Sequence, residues 1–130
     1  MPFDLDESFV VAAEIELGAI LPLSYRRSML QENGGELEAQ DDSWEQYPIA
    51  DTSDRKRMSR TCNHILKETQ NCLTWSGFPE NAIAIAGNGA GDQLVLLKSG
   101  RELESTVYAW SHETGQLTKV ANDFAELKAL

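Results

Sequence analysis

Basic residues are scarce in this sequence. Eleven Lys and Arg stand against 21 Asp and Glu, a formal net charge of −10. Sequence-independent nucleic-acid binding draws its affinity from cations that neutralise phosphates, so nucleic acid is not expected as a partner. An anionic membrane surface is disfavoured for the same reason. Cysteine is scarcer still. Cys62 and Cys72 are too few for a disulfide scaffold, and neither has the CxxC neighbour that would suggest zinc. The two histidines, His64 and His112, form no HExxH, HxxxH or HxE pattern, so no metal is expected. No GxSxG-type nucleophile motif is present. No run approaches the ~18 consecutive apolar residues of a membrane span. The opening Met-Pro-Phe-Asp-Leu-Asp-Glu lacks a basic n-region, which points to a cytoplasmic protein.

What is present is the ordinary mixture of a globular protein. At 130 residues, 42% hydrophobic and 25% charged, the chain supports one core and one domain, 1–130, with no staple. The charge is unevenly spread. Residues 1–54 carry thirteen acids and two bases, whereas residues 55–130 carry eight acids and nine bases. Between Glu32 and Asp54 lie eight carboxylates and no base. Such a run describes a solvated, self-repelling loop. It also contains Trp44, Tyr47 and Pro48-Ile49, and an acidic surface with embedded aromatics suits a patch for a basic protein partner.

Asp4-x-x-Glu7 has capping-box spacing before Phe9, Val10, Ala13 and Leu17, which predicts a helix ended by Gly18. Pro22 opens a second helix, with Tyr25, Met29 and Leu30 on one side and Asn33-Gly34-Gly35 as its stop. Glu36–Ser53 reads as irregular, with a strand candidate at Gln46–Ile49. From an Asp54 or Ser53 cap, Met58, Cys62, Ile65, Leu66, Thr69 and Leu73 form one stripe, predicting a third helix of about six turns. Both cysteines then lie on that helix roughly 15 Å apart, too far for a disulfide, and are expected to be buried free thiols. Arg55, Lys56, Arg57 and Arg60 oppose the macrodipole at its start, so the acidic loop is the expected counter-charge, with a phosphate or RNA site as the second reading of the cluster. Strands follow at Ala82–Ala86, Gln93–Lys98, Thr106–Trp110 and Gln116–Val120, then a last helix at Asp123–Leu130. The order predicts an α+β fold, an antiparallel or mixed sheet covered by about four helices.

Gly87-Asn88-Gly89-Ala90-Gly91-Asp92 invites a nucleotide-binding reading. A phosphate site needs a helix after the glycines, and here a strand follows, so a glycine-rich β-connection is expected. Acid pairs such as Asp41-Asp42 are uninformative in so acidic a chain. No catalytic residue and no cofactor is nominated.

Three segments resemble the SUKH superfamily, which includes fungal Smi/Knr cell-wall-assembly regulators and many small bacterial proteins. Glu14 through Tyr25, continuing from Leu30 to Gly35, is similar to its opening "E-LG--LP--Y---L---NGG". Phe78-Pro79 through Ile83-Ala-Ile85 to Gly91-Asp92 resembles its strand and "GD" turn. Val107-Tyr-Ala-Trp110-Ser-His112-Glu113 resembles its "V--W-HE" strand end. The matched positions are Leu17, Gly18, Pro22, Tyr25, Gly34, Gly35, Gly91, Asp92 and Trp110, each with a structural reading as cap, turn or core. Many members place an aspartate in the strand after "GD", whereas Leu94-Val-Leu-Leu97 is wholly apolar here. Residues 36–60 match no part of the pattern.

The resemblance implies a SUKH-like fold and a non-enzymatic binding role, as in bacterial immunity proteins that neutralise toxin domains, often nucleases. A basic toxin domain is therefore the expected partner. Trp44 and Tyr47 are its expected contacts, with Asp41, Asp42, Glu45 and Asp51 around them; the alternative for each is a structural place, as in a loop whose Trp44 tucks into the core. The alternatives are an intracellular regulatory or scaffold module, and a hydrolase using paired carboxylates.

Overall fold

In the computed structural model, which describes residues 2–129, helix α1 (Glu7–Leu17) is capped by Asp6 and not by Asp4. The Asp6 carboxylate accepts from the Ser8 N–H at 3.0 Å, while Asp4 is drawn away to Arg57. Gly18 ends the helix with φ +70°, a left-handed conformation that costs glycine little. Pro22 is the N-cap of α2 (Leu23–Gln31) and not its first helical residue. Tyr25 and Met29 of α2 are fully buried, as their spacing predicts.

The acidic segment is ordered where an irregular loop is expected. Residues Gly35–Ala39 (β1) and Asp42–Gln46 (β2) pair antiparallel, with Leu37 opposite Trp44 and Ala39 opposite Asp42. Gln40 and Asp41 turn the chain with φ +53° and +58°, the conformation of a two-residue hairpin. The strand candidate at Gln46–Ile49 overlaps β2 at Gln46 alone.

The single helix expected over 54–73 is two helices, α3 (Arg55–Arg60) and α4 (Ile65–Cys72). Asp54 does cap the first, accepting from the Arg57 N–H at 2.8 Å. The break at Thr61–His64 contains poor helix formers, and the fold uses their polar groups elsewhere. The Thr61 hydroxyl accepts from the Asp51 N–H at 2.9 Å, and the Ile65 N–H donates to the Pro48 carbonyl at 2.9 Å. His64 caps α4 through ring Nδ1, which accepts from the Lys67 N–H at 3.2 Å. Cys72 is a buried free thiol as expected, but Cys62, set in the break, is exposed.

The later strands are β3 (Ala82–Gly87), β4 (Gln93–Ser99), β5 (Glu102–Leu103), β6 (Val107–Trp110) and β7 (Leu117–Ala121). The final helix is replaced by a 3₁₀ turn, Phe124–Glu126, and a short strand β8 (Lys128–Ala129) beside β1; Leu130 lies outside the described residues. Strand order is β7-β6-β4-β3-β2-β1-β8, with β5 on β4 and every strand pair antiparallel among the described residues.

The central strands are buried on both faces. Ile83, Ile85, Leu94, Leu96 and Val107 pack with Val10, Ala13, Leu17, Tyr25 and Met29 of α1 and α2. Ala82, Ala84, Val95 and Trp110 pack with Cys72 of α4 and Phe78 on the opposite side. That two-sided burial accounts for the uninterrupted apolar run Leu94–Leu97, where an aspartate would need a partner inside the core. The chain is an α+β fold with helices on both sides of one antiparallel sheet.

Candidate protein-binding site

The β1–β2 hairpin sorts its side chains by the two-residue period of a strand. Leu37, Ala39, Trp44 and Gln46 turn inward and are buried. Glu36, Glu38, Ser43 and Glu45 turn outward and are exposed, and Asp41 sits at the tip. Glu36 stands in register with Glu45, and Glu38 with Ser43 on one side and Lys128 on the other. Like charges directly opposite each other destabilise a strand pair by tenths of a kcal/mol. Glu36, Asp41 and Glu45 make no ion pair among the described residues.

The six residues expected to contact a partner do not form one surface. Trp44 is 2% exposed, and its indole N–H donates to the Ala39 carbonyl at 3.0 Å, which closes the hairpin. Asp51, 1% exposed, is also internal. Its carboxylate accepts from the Ser53 N–H at 3.0 Å, the Ser53 hydroxyl at 2.7 Å and Arg57 Nη1 at 3.1 Å. Burial pushes this carboxyl up, but the bonds from Ser53 and Arg57 together outweigh burial and hold it below the ordinary value. These two residues are corrections: neither has a side chain to offer a partner in the free fold. Tyr47 is half-buried and donates its hydroxyl to Gln93 Oε1 at 2.8 Å. Burial raises its phenol to about 12. Asp41, Asp42 and Glu45 are all exposed on the hairpin, Asp41 at its tip, Asp42 on the strand face of Trp44 and Glu45 on the opposite face.

The basic cluster meets its expected role at one residue. Arg57 bonds Asp51, the Asp4 carbonyl at 2.8 Å and the Asp4 carboxylate at 3.0 Å, and its guanidinium lies 4.5 Å from the centre of the Phe3 ring. It thereby clamps the N-terminal segment to the loop before α3.

At the other end of the hairpin, three β-turns are laced by polar side chains. Asn88 Nδ2 donates to Asp42 Oδ2 at 3.1 Å and to Asp92 Oδ2 at 3.4 Å. Asp92 Oδ1 meets the His112 N–H at 3.1 Å and ring Nδ1 at 2.7 Å. Asn88 and His112 therefore fix the orientation of the acidic tip, a role the sequence reading did not assign to them. Glu36 and Glu38 were likewise missed as surface acids, although the alternation Glu-Leu-Glu-Ala carries that signal.

The matched positions of the family resemblance occupy structural places. Tyr25 packs edge-on against Phe124, with centroids 5.0 Å apart. Trp110, 1% exposed, lies between Trp75 and Phe78 and donates its indole N–H to the Gly77 carbonyl at 3.1 Å. Leu17 and Pro22 are buried, and Gly34, Gly35 and Gly91 all have positive φ. A side chain at Gly91 would also press on the His112 ring.

A cavity of about 560 Å³ lies between α2 and β1, lined by Ser24, Arg27, Gln31, Gly34, Gln46 and Phe124. Asp41, Asp42 and Glu45 do not line it. Among the described residues, the carboxyls with a displaced pKa, Asp6, Asp51, Asp92 and Asp123, are displaced downward, the direction opposite to that of a general acid. Among the described residues, no group of three or more His, Cys, Asp or Glu is placed to hold a metal. No helix among them is long and apolar enough to cross a membrane.

The family model described as SMI1 / KNR4 family (SUKH-1) matches residues 4–129. No curated protein matches the sequence.

Proposed function

Because the chain belongs to the SMI1 / KNR4 family (SUKH-1), we propose that it is a non-enzymatic protein-binding domain, an immunity protein against a basic, nuclease-type toxin domain. The family includes immunity proteins, and this chain adds the kind of surface such a partner requires. The observation that carries the reading is the outward face of the β1–β2 hairpin. There Glu36 and Glu45 face each other with no ion pair among the described residues, and Asp41 lies beyond them at the tip.

A nuclease groove is built to hold phosphates with Lys and Arg, so a rigid array of carboxylates can occupy it in their place. A cation placed between Glu36 and Glu45 relieves a repulsion that the free protein bears. The net charge of −10 steers the encounter at long range. Trp44 contributes from inside, through its burial and its bond to the Ala39 carbonyl behind the acidic face.

Co-expression with basic, nuclease-type toxin domains, any encoded next to this gene first among them, tests the reading. Rescue of growth, together with a complex of the two purified proteins that weakens as salt rises, is the expected result. Failure to rescue, or binding indifferent to both salt and charge reversal on the hairpin, overturns it.

A further inference from the structure

Four large aliphatic side chains stand out of the surface at the corner between α1 and β5. Ile15 is 74% exposed, Leu23 59%, Ile20 57% and Val11 40%. They border two adjoining hollows. One, of about 560 Å³, is lined by Val11, Ile15, Ile20 and Arg101; the other, of about 550 Å³, by Ile20, Leu23, Arg26 and Glu102. Ile20 and Glu14 are common to both.

Ile20 is also held rigidly. Its N–H donates to the Arg101 carbonyl at 2.9 Å, and its own carbonyl accepts from the Leu103 N–H at 2.9 Å. An exposed aliphatic side chain on a pinned backbone loses little backbone entropy when a partner covers it. The charged side chains lining the two hollows are Glu14, Arg26, Arg101 and Glu102, two acids and two bases. Glu14 is already engaged with Arg26 at 3.3 Å and with the Leu21 N–H at 2.8 Å. In a chain of net −10, this corner is locally neutral.

We propose that this corner is a self-docking surface, on which a second copy of the chain seats Ile20 in a hollow of the first and receives the first copy's Ile20 in return. A two-fold interface needs a patch that carries both projection and hollow, and Ile20 with its flanking hollows provides both. Two strongly acidic copies repel over most of their surfaces, so contact is favoured where acids and bases balance, with Arg101 and Glu102 available as exchanged rim charges. A stable interface buries about 800 Å² per partner, so the four aliphatic residues form its centre and polar neighbours its rim. The surface shares no residue with the β1–β2 hairpin, and the acidic face remains free in the dimer.

Analytical ultracentrifugation of the full chain decides the matter. The expected result is a dimer at concentrations up to about 100 μM. Its dissociation constant should rise at least about 30-fold in Ile20→Asp, with little change in Ile20→Val. Far-UV circular dichroism and the thermal midpoint separate loss of docking from loss of fold. Arg101→Glu should weaken the dimer, and Arg101→Glu with Glu102→Arg should restore it. Added salt should tighten this association, because it screens repulsion between acidic copies. A monomer throughout, or a dimer unmoved by Ile20→Asp in a folded variant, overturns the proposal. A monomer that needs Ile20 for a different protein partner assigns the corner to that partner and overturns it equally.

Discussion

Asp92 grips His112 twice: one carboxylate oxygen meets both the main-chain N–H, at 3.1 Å, and the ring Nδ1, at 2.7 Å. Through Asn88 the same carboxylate is tied to Asp42 at the tip of the acidic hairpin. The "GD" turn and the "HE" strand end, separated by 20 residues, are thus one structural unit. Its function is to hold three turns in register.

Removing the charge at Asp92 should therefore cost stability. Burial pushes the Asp92 carboxyl up, but His112 and Asn88 together outweigh it and bring it below the ordinary 3.8. A carboxyl lowered in the fold stabilises above its unfolded value, and the contribution fades as pH falls below about 3.8. Asp92→Asn should lose about 1 kcal/mol in urea unfolding at pH 7. The difference from the parent should shrink progressively as pH falls below 3.8.

His64 gives a pH response in a different range. As the N-cap of α4 its Nδ1 must accept from the Lys67 N–H, which only the neutral ring can do. Burial holds its pKa below 6.5; Lys67 lowers it further, while Glu16 of α1 and Glu68 of α4 act in the opposite direction. With the folded value depressed, the unfolded chain takes up the proton first. Stability is then full above pH 6.5 and declines as pH falls through the folded value. Asn is a good cap and does not titrate, so His64→Asn should match the parent at pH 7.5 and lose less between pH 6.5 and 5. Urea midpoints across that interval measure it.

The sequence exposes packing more readily than connection. Helices α1 and α2 and strands β3, β4 and β6 were legible because their apolar periodicity coincides with burial. The hairpin was hidden by its turn: Gln40-Asp41 adopts positive φ without glycine, so it lacks the Asn-Gly signal that usually marks such a loop. The break between α3 and α4 was hidden because Met58, Cys62 and Ile65 continue a helical stripe across it. The bonds that enforce the break, Asp51 to Thr61 and Ile65 to Pro48, come from residues 10 and 17 positions away. Charge counting located the acidic segment but did not tell an outward acid from an inward one. Asp51 and Glu45 look alike in sequence; Ser53 and Arg57 bond Asp51 inside the fold, whereas Glu45 faces outward on β2.

Trp44 separates a structural from a surface role. Trp44→Ala should cost about 3–5 kcal/mol, the range for truncating a buried large aromatic. Trp44→Phe keeps most of the packing, loses the bond to the Ala39 carbonyl, and should cost about 1–2 kcal/mol. Equilibrium urea unfolding reads both. A Trp44→Ala protein as stable as its parent would place the indole on the surface.

The acidic face itself is best tested by a change that strengthens the fold while weakening the encounter. Glu36→Lys sets a cation opposite Glu45, turning a repulsive cross-strand pair into an attractive one worth some tenths of a kcal/mol. The thermal midpoint should therefore hold or rise slightly. Asp41→Lys adds a second reversal at the exposed tip without touching the Asn88 bond to Asp42. Association of the double variant with a basic toxin domain should slow by about tenfold or more at low ionic strength, and far less near 0.5 M salt, where screening removes steering. Dissociation should change less than association, because exposed charges act mainly on the encounter. Stopped-flow association at several salt concentrations distinguishes the outcomes. Unchanged rates in a variant of undiminished stability would remove the hairpin face from the binding surface.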